Sequence, residues 1–274
     1  MKNVITTGSF DNLGSRHVRL LEEASRLGRT RVLLWPDETV ELLSGRAPRF
    51  SEMERLYILR SIRFAPEAEI GPEMKSAHVL PDVGPPANTT WAVPPEDDDP
   101  RKRAYCAGVG IQYRIIPEPA LSGFPAPSFD LTAPAAAGRK KVIVTGCYDY
   151  FHSGHVRFFE EVSAYGELTV SVGSDANVQL LKGPGHPKFS QAERLYMVAA
   201  VKHVARAVIG SGDGWMDAAP EIEALRPDYY IVNEDGDRPE KRAYCEVRGI
   251  EYLVLRRTPQ SGLPRRDSTT LRGY

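Results

Sequence analysis

The chain of 274 residues carries 35 basic and 36 acidic side chains, a formal net charge of −1, so no global basic surface argues for nucleic acid and any phosphate binding must be local. Hydrophobic residues at 42% and charged residues at 26% are ordinary for a folded globular protein. Three cysteines, Cys106, Cys147 and Cys245, are too few and too scattered for a disulfide framework or a zinc cluster, and the polar start "MKNVITTGSF" with no long apolar stretch leads us to expect a soluble, cytoplasmic protein with no membrane span.

In chain order, the first half offers "FDNLGSRHVRLLEEA" at 10–24, "RFSEMERLYILRSI" at 49–62 and "KRAYCAGVGIQY" at 102–113. Between the last two lies "GPPANTTWAVPPEDDDP", 84–100, Pro-rich and acidic, which reads as solvated. All three blocks recur in the same order at a shift of about 139 residues, as "YDYFHSGHVRFFEEV" at 148–162, "KFSQAERLYMVAAV" at 188–201 and "KRAYCEVRGIEY" at 241–252. The chain is therefore read as a tandem duplication. "PAPSFDLTAPAAAGRKK", 125–141, is rich in Pro and Ala without apolar periodicity, as a linker should be. The expected organisation is a first domain over 1–129, a linker over 130–139 and a second domain over 140–274.

Each half alternates strands and helices. In the second, "KKVIVTG" is a buried-strand candidate and "GHVRFFEEVSAYG" an amphipathic helix closed by Gly166. "ELTVSVGSD" is a further strand, and "SQAERLYMVAAVKHV" is a helix that Ser190 can cap, with Glu193 in its first turn. "VARAVIGSG", "PDYYIVNEDGD" and "IEYLVLRRT" supply three more strands. This alternation predicts two α/β domains, each a Rossmann-like, doubly wound parallel sheet with ligands beyond the carboxyl ends of its strands.

At one such junction stands "FHSGHVRFF". His152 and His155 lie three apart on one helical face, at a helix start whose free N–H groups and dipole favour anions. Gly154 removes a side chain, so a ligand can come close to the backbone. The pattern suits phosphate oxygens; a metal-binding pair or two solvated histidines are the alternatives, and no third metal ligand has convincing spacing.

"GCYDYFHSGHVRFF" resembles the signature of the nucleotidylyltransferase superfamily, in particular its cytidylyltransferase-like branch. That branch includes the glycerol-3-phosphate, choline-phosphate and ethanolamine-phosphate cytidylyltransferases and the adenylyltransferase that makes ADP-heptose. The resemblance covers nearly all of 140–274, through "LLKGPG", "QAERLYM", "VNEDGD" and a late "RRTPQSGLPRRDSTT" similar to the family's "RTEGISTS"-type signature.

The resemblance implies attack by a phosphate or phosphonate oxygen on the α-phosphorus of a nucleoside triphosphate, with release of pyrophosphate and no covalent enzyme intermediate. His152 and His155 would hold the triphosphate, and Lys182, on a mobile loop, would meet the α-phosphate and the substrate. Arg194, Ser268 and Thr269 would bind the β- and γ-phosphates. Gly146, Tyr148, Asp149, Gly154, Asn233 and Asp235 complete the implied nucleotide site. Asp149 is a possible contact to Mg²⁺, the implied cofactor, itself held mainly by phosphates and water.

Bland readings stand beside these. Lys182 could solvate a loop, Arg194 could pair with Glu193 or another surface carboxylate, and Asp149, Asp235 and Asp237 could be turn residues. Trp215 could stack on a base or substrate, or be a buried anchor; packing or solvent accounts for His186 and His203.

In the first half the tools are missing. Gly14 stands for the first histidine, Arg16 for the glycine and Leu43 for the lysine, the "RRDSTT" stretch is absent, and only His17 and Arg55 remain of the phosphate contacts. This half reads as a pseudo-domain, an internal partner forming an intramolecular pseudo-dimer or else a regulatory module; a homo-oligomer is also open. CTP is the preferred donor, from the tandem layout and the "STT" ending, with ATP as the alternative. The acceptor should be a small phosphorylated alcohol or a phosphonate such as 2-hydroxyethylphosphonate. Arg256, Arg257, Arg265 and Arg266 are placed to take an acidic head group. A catalytically inactive nucleotide sensor is the reading from another class.

Overall fold

The apolar runs of the second half, Val142, Ile143 and Val144 above all, are excluded from solvent on both faces, as the central strand of a covered parallel sheet requires. The computed structural model describes residues 2–81, 88–268 and 271. It divides into two compact units, Met1–Gly123 and Phe124–Tyr274.

The first unit runs β1 (Asn3–Gly8), α1 (Ser15–Leu27), β2 (Arg29–Leu34), α2 (Asp37–Ser44), α3 (Glu52–Ser61), β3 (Glu67–Ile70), β4 (Thr89–Val93), α4 (Pro100–Val109), β5 (Gln112–Ile115) and α5 (Glu118–Leu121). The second runs β6 (Lys141–Gly146), α6 (Ser153–Ser163), β7 (Glu167–Val172), α7 (Asp175–Lys182), α8 (Gln191–Ala199), β8 (Arg206–Ile209), α9 (Ala219–Leu225), β9 (Tyr229–Asn233), α10 (Pro239–Arg248) and β10 (Glu251–Leu255). The sheet orders are β3-β2-β1-β4-β5 and β8-β7-β6-β9-β10, and every pairing is parallel. Each unit is thus an α/β doubly wound fold of identical strand order.

In the second unit alternate residues of β6 feed opposite cores. Val142 and Val144 pack with Phe159, Val162, Val198 and Val201, while Ile143 packs with Ile222, Tyr230, Val232 and Cys245. Burying a side chain such as Phe159 contributes about 2–3 kcal/mol, so these layers fix the sheet on which the loops are mounted. Ser190 caps α8 by accepting from the Glu193 N–H at 3.3 Å. That helix ends at Ala199, short of the stretch to Val204 that periodicity suggests. Val201 and Val204 are still buried, but in the turn leading to β8, where an apolar residue needs no helix to reach the core.

Candidate active site

A cavity of about 330 Å³ opens at the carboxyl edge of the second sheet. Every strand end contributes to it: Thr145 to Asp149 at the end of β6, Gly173 after β7, Gly214, Trp215 and Asp217 after β8, Asn233, Asp235 and Gly236 at the end of β9 and Arg257 after β10. It straddles β6 and β9, between which the strand order reverses, the usual place for a ligand in this architecture.

His152 is the N-cap of α6 and 2% exposed. Its Nδ1 accepts the Gly154 N–H at 3.1 Å, which leaves the proton on Nε2, and Nε2 lies 3.4 Å from Ser268 Oγ. The His155 ring stacks on it at 3.9 Å between centroids and 22° between planes. Burial, then the charge of Arg257, pushes the His152 imidazole down to about 4. His155 falls well below the usual histidine range, through burial and then His152. At neutral pH the free protein therefore holds two uncharged imidazoles at the positive end of a helix dipole.

Gly154 has a structural reason as well. A Cβ there would lie 2.9 Å from His152 Cε1 and 3.2 Å from the Arg266 carbonyl oxygen, so the glycine makes room for the histidine ring and the C-terminal segment. Gly146 is similar. Tyr148, at φ +54°, folds its ring back so that a Cβ on Gly146 would sit 2.7 Å from Cζ.

Lys182, Asn233, Asp235, Arg257, Trp215 and Ser268 all border the cavity. Lys182 is the last residue of α7 and not part of a loop. Aligning the glycines that end α2 and α7 puts Ser44, not Leu43, at its position in the first unit. Asp235 is ion-paired with Arg257 at 2.6 Å. Trp215 is 45% exposed, not a buried anchor, and the Arg238 guanidinium lies 4.5 Å from its ring centroid. Thr269 lies outside the described residues. Arg265 and Arg266 border a neighbouring depression with Ser153, Gly154 and Arg257, and Arg265 pairs with Glu234 at 3.3 Å.

Two residues stand apart from their assigned roles. Arg194 is 1% exposed, is not on the cavity wall, and donates to the carbonyls of Phe189 and Cys147 and to Asp175 Oδ1 at 3.0, 2.7 and 2.7 Å. It ties α8 to the loops after β6 and β7; Glu193 is not its partner. Asp149 borders the cavity, but its carboxylate accepts the N–H groups of Lys188 and Phe189 at 2.8–2.9 Å. That commitment turns it toward the backbone and away from a metal. Among the described residues no group of three or more His, Cys, Asp or Glu could hold a metal ion.

Three polar residues of the wall carry no sequence signal that singled them out. Asn177 donates to Asp217 Oδ2 at 2.9 Å and accepts from the Gly214 N–H at 2.7 Å. Lys241, 6% exposed, reaches the same cavity from α10. It belongs to the repeated "KRAYC" block, and repetition made it look architectural.

The cytidylyltransferase-like family model matches residues 143–257, all within the second unit. The chain is similar to the FAD synthase of Aciduliprofundum boonei, 37% identical over 119 residues, which are 42% of this chain and 76% of that protein. It is also similar to the bifunctional protein HldE of Methylococcus capsulatus, 38% identical over 115 residues, but spans only 22% of that protein's length. A lipopolysaccharide core biosynthesis protein of Thermoplasma volcanium, of known crystal structure, aligns over 45% of this chain and all of its own, with 25% identity and a TM-score of 0.38. No helix among the described residues is long and apolar enough to cross a membrane.

Proposed function

The chain belongs to the cytidylyltransferase-like family of nucleotidyltransferases, and from that membership we propose that its second unit transfers CMP from CTP to a small phosphorylated alcohol or phosphonate, with Mg²⁺ arriving on the triphosphate. The observation that carries this reading is the gathering of His152, His155, Lys182, Arg257 and Ser268 around one cavity at a helix start.

In this reaction an acceptor oxygen forms a bond to the α-phosphorus as the bond to the β-phosphate bridging oxygen breaks, and pyrophosphate takes that electron pair. No proton transfer is compulsory, so positioning and charge neutralisation supply the rate. The His152 Nε2–H, oriented by the bond from Gly154 to Nδ1, is a fixed donor for a phosphate oxygen. The amides at the start of α6 add a partial positive charge that costs no reorganisation. Lys182 and Arg257 supply full charges, and Arg257 would leave Asp235 or share it with the ribose hydroxyls.

ATP as donor has its own supporting observation. The relative from Aciduliprofundum boonei is named for making FAD, whose adenosine monophosphate half is what an adenylyl transfer would deliver.

The test is pyrophosphate release with Mg²⁺, pairing CTP, ATP, GTP and UTP with phospho-alcohols, sugar phosphates and phosphonates. Release with CTP and a small acceptor, lost in His155→Ala, is the expected result. Release with ATP alone moves the donor to adenosine, and nucleotide binding without release overturns the reaction.

A further inference from the structure

Lys102 and Lys241 occupy the same place in the two units, and their ammonium groups are used differently. Each lies 5.5 Å from the ring centroid of the equivalent aromatic residue, Trp91 in one unit and Tyr230 in the other. Lys102 donates to the Asp97 carbonyl at 2.8 Å. Lys241 has no such carbonyl. Among the described residues its hydrogen bond is to Thr145 Oγ1, at a long 3.4 Å, and it has no ion-pair partner within 4.0 Å. A buried ammonium so poorly satisfied is costly unless something else occupies its donors.

Asp217 lies on the wall of the same cavity, at the edge facing α7. Burial raises its carboxyl and lowers the Lys241 ammonium, while each is steadied by the other's charge. Asn177 holds Asp217 through Oδ2, and Asn177 is itself consumed by Gly214 and Asp217. This end of the cavity thus offers a donor and an acceptor of opposite charge that are not paired with each other.

That combination selects its ligand by elimination of charges. A cationic group would gain from Asp217 but meet Lys241, and its other attraction, the face of Trp215, already has the Arg238 guanidinium at 4.5 Å. An anionic group would gain from Lys241 but meet Asp217. Hydroxyl groups satisfy both, because an alcohol donates to a carboxylate and accepts from an ammonium at once.

Resting on the transferase reading above, we propose that Lys241 and Asp217 read the uncharged, hydroxyl-bearing end of the acceptor, so that the acceptor is a polyol or sugar phosphate or a hydroxyalkyl phosphonate and not an aminoalkyl or carboxylated phosphate. Lys182 and the histidines act on the reacting phosphates; Lys241 and Asp217 set which molecule presents them.

The experiment compares glycerol 3-phosphate, a sugar 1-phosphate and 2-hydroxyethylphosphonate with phosphoethanolamine, phosphocholine and 3-phosphoglycerate in the full chain. Turnover with each available nucleotide is measured alongside calorimetric binding of each acceptor. A hydroxylated acceptor should exceed every charged one by about tenfold or more in kcat/KM. Lys241→Met should raise its KM about tenfold or more with the nucleotide KM unchanged, whereas Lys102→Met should not move the acceptor KM. Asp217→Asn, which keeps the shape of the loop, should weaken the hydroxylated acceptor and improve 3-phosphoglycerate. A charged acceptor used best, or an acceptor KM indifferent to both substitutions, overturns the proposal and leaves the transferase reading intact. Lys241-dependent binding of a polyol phosphate with no pyrophosphate from any nucleotide does the reverse. Neither binding nor turnover overturns both.

Discussion

In the first unit the Arg16 guanidinium donates to both oxygens of Glu96 at 2.6 Å and to both oxygens of Glu118 at 2.7–2.8 Å. At the matching places of the second unit stand Gly154, Asp235 and Arg257. One helix start is thus filled by an arginine and two carboxylates, net negative, while the other presents a capping histidine with a cation beside it. The frame around both is the same. Asp11 accepts the N–H groups of Arg49 and Phe50 at 2.8–3.0 Å just as Asp149 accepts those of Lys188 and Phe189. Arg55 bonds Phe50 O, Ser9 O and Asp37 just as Arg194 bonds Phe189 O, Cys147 O and Asp175. A contact that persists where the anion site is filled cannot owe its existence to an anion. The duplication is an internal control that separates architecture from site.

The most severe way to press the comparison is to give the second unit the first unit's residue. Gly154→Arg has to displace the His152 ring, since even a Cβ would approach it to 2.9 Å. The expected loss is about 10³-fold or more in turnover, because the oriented imidazole donor and the helix start behind it are displaced together rather than trimmed. Circular dichroism should stay unchanged, since Arg16 occupies that position in a unit of identical strand order. Calorimetry on the unaltered chain should find a single nucleotide bound, and none in the variant.

Charge reversal at the end of the last strand comes next. Arg257→Glu, matching Glu118, should lower turnover by about 10²-fold, whereas Glu118→Arg should leave it as it is. Steady-state kinetics on both variants decides whether the sign of that residue matters in one unit only.

Breaking the frame should do the opposite. Arg194→Met and Arg55→Met each strip three bonds from a buried guanidinium, and each should destabilise its own unit by about 2–3 kcal/mol. Asp175 is 45% exposed on its side chain, which keeps the cost below that of a fully buried pair. Urea unfolding of the two variants should give shifts of similar size; a much smaller shift for Arg194 would mean that its guanidinium serves a ligand after all.

Much of this was legible in the sequence because it is carried by pattern. The repeat blocks, the apolar runs of β6 and β9 and the glycine-punctuated helix start announce two doubly wound sheets and a ligand edge. His152 and His155 follow from the strand-to-helix junction, Asn233 from the resemblance of its motif and Arg257 from the late cluster of arginines. The ligand roles implied for Arg194 and Asp149 give way to structural ones because a guanidinium suits a carbonyl as well as a phosphate and a carboxylate suits a backbone N–H as well as a metal, and only the three-dimensional path of the loops says which each meets. Lys241 hid for the complementary reason. It is repeated like the frame, yet its partner carbonyl is lost, and the loss of a backbone contact leaves no mark in the residue itself.

The gentlest probe is pH, and it separates the two helix starts without mutation. His152 sits at about 4 in the free protein, against an ordinary histidine value of 6.5, through burial first and then the field of Arg257, with Asp267 pulling the other way. The unfolded chain therefore binds more protons than the native one between those values, so this histidine's contribution favours the native state above pH 6.5 and is lost as pH falls toward about 4. A bound triphosphate faces both stacked rings with negative charge and favours a proton there; on His152 that proton would cost the Gly154 N–H bond to Nδ1, whereas His155 Nδ1 accepts from no group among the described residues, so the uptake falls on His155. Nucleotide affinity should accordingly strengthen as pH drops from 7.5, by somewhat less than about tenfold per pH unit for one proton taken up. Calorimetry in two buffers of different ionisation enthalpy reads that uptake directly. His17, at the other helix start, is also lowered by burial and bonded through Nδ1 to the Gly14 N–H at 3.2 Å, as His152 is to Gly154, but there Arg16, paired with Glu96 and Glu118, fills the place an anion would take. Substituting His155 by Gln should then abolish the uptake, and substituting His17 should not; uptake that survives the first change would place the proton on His152 instead.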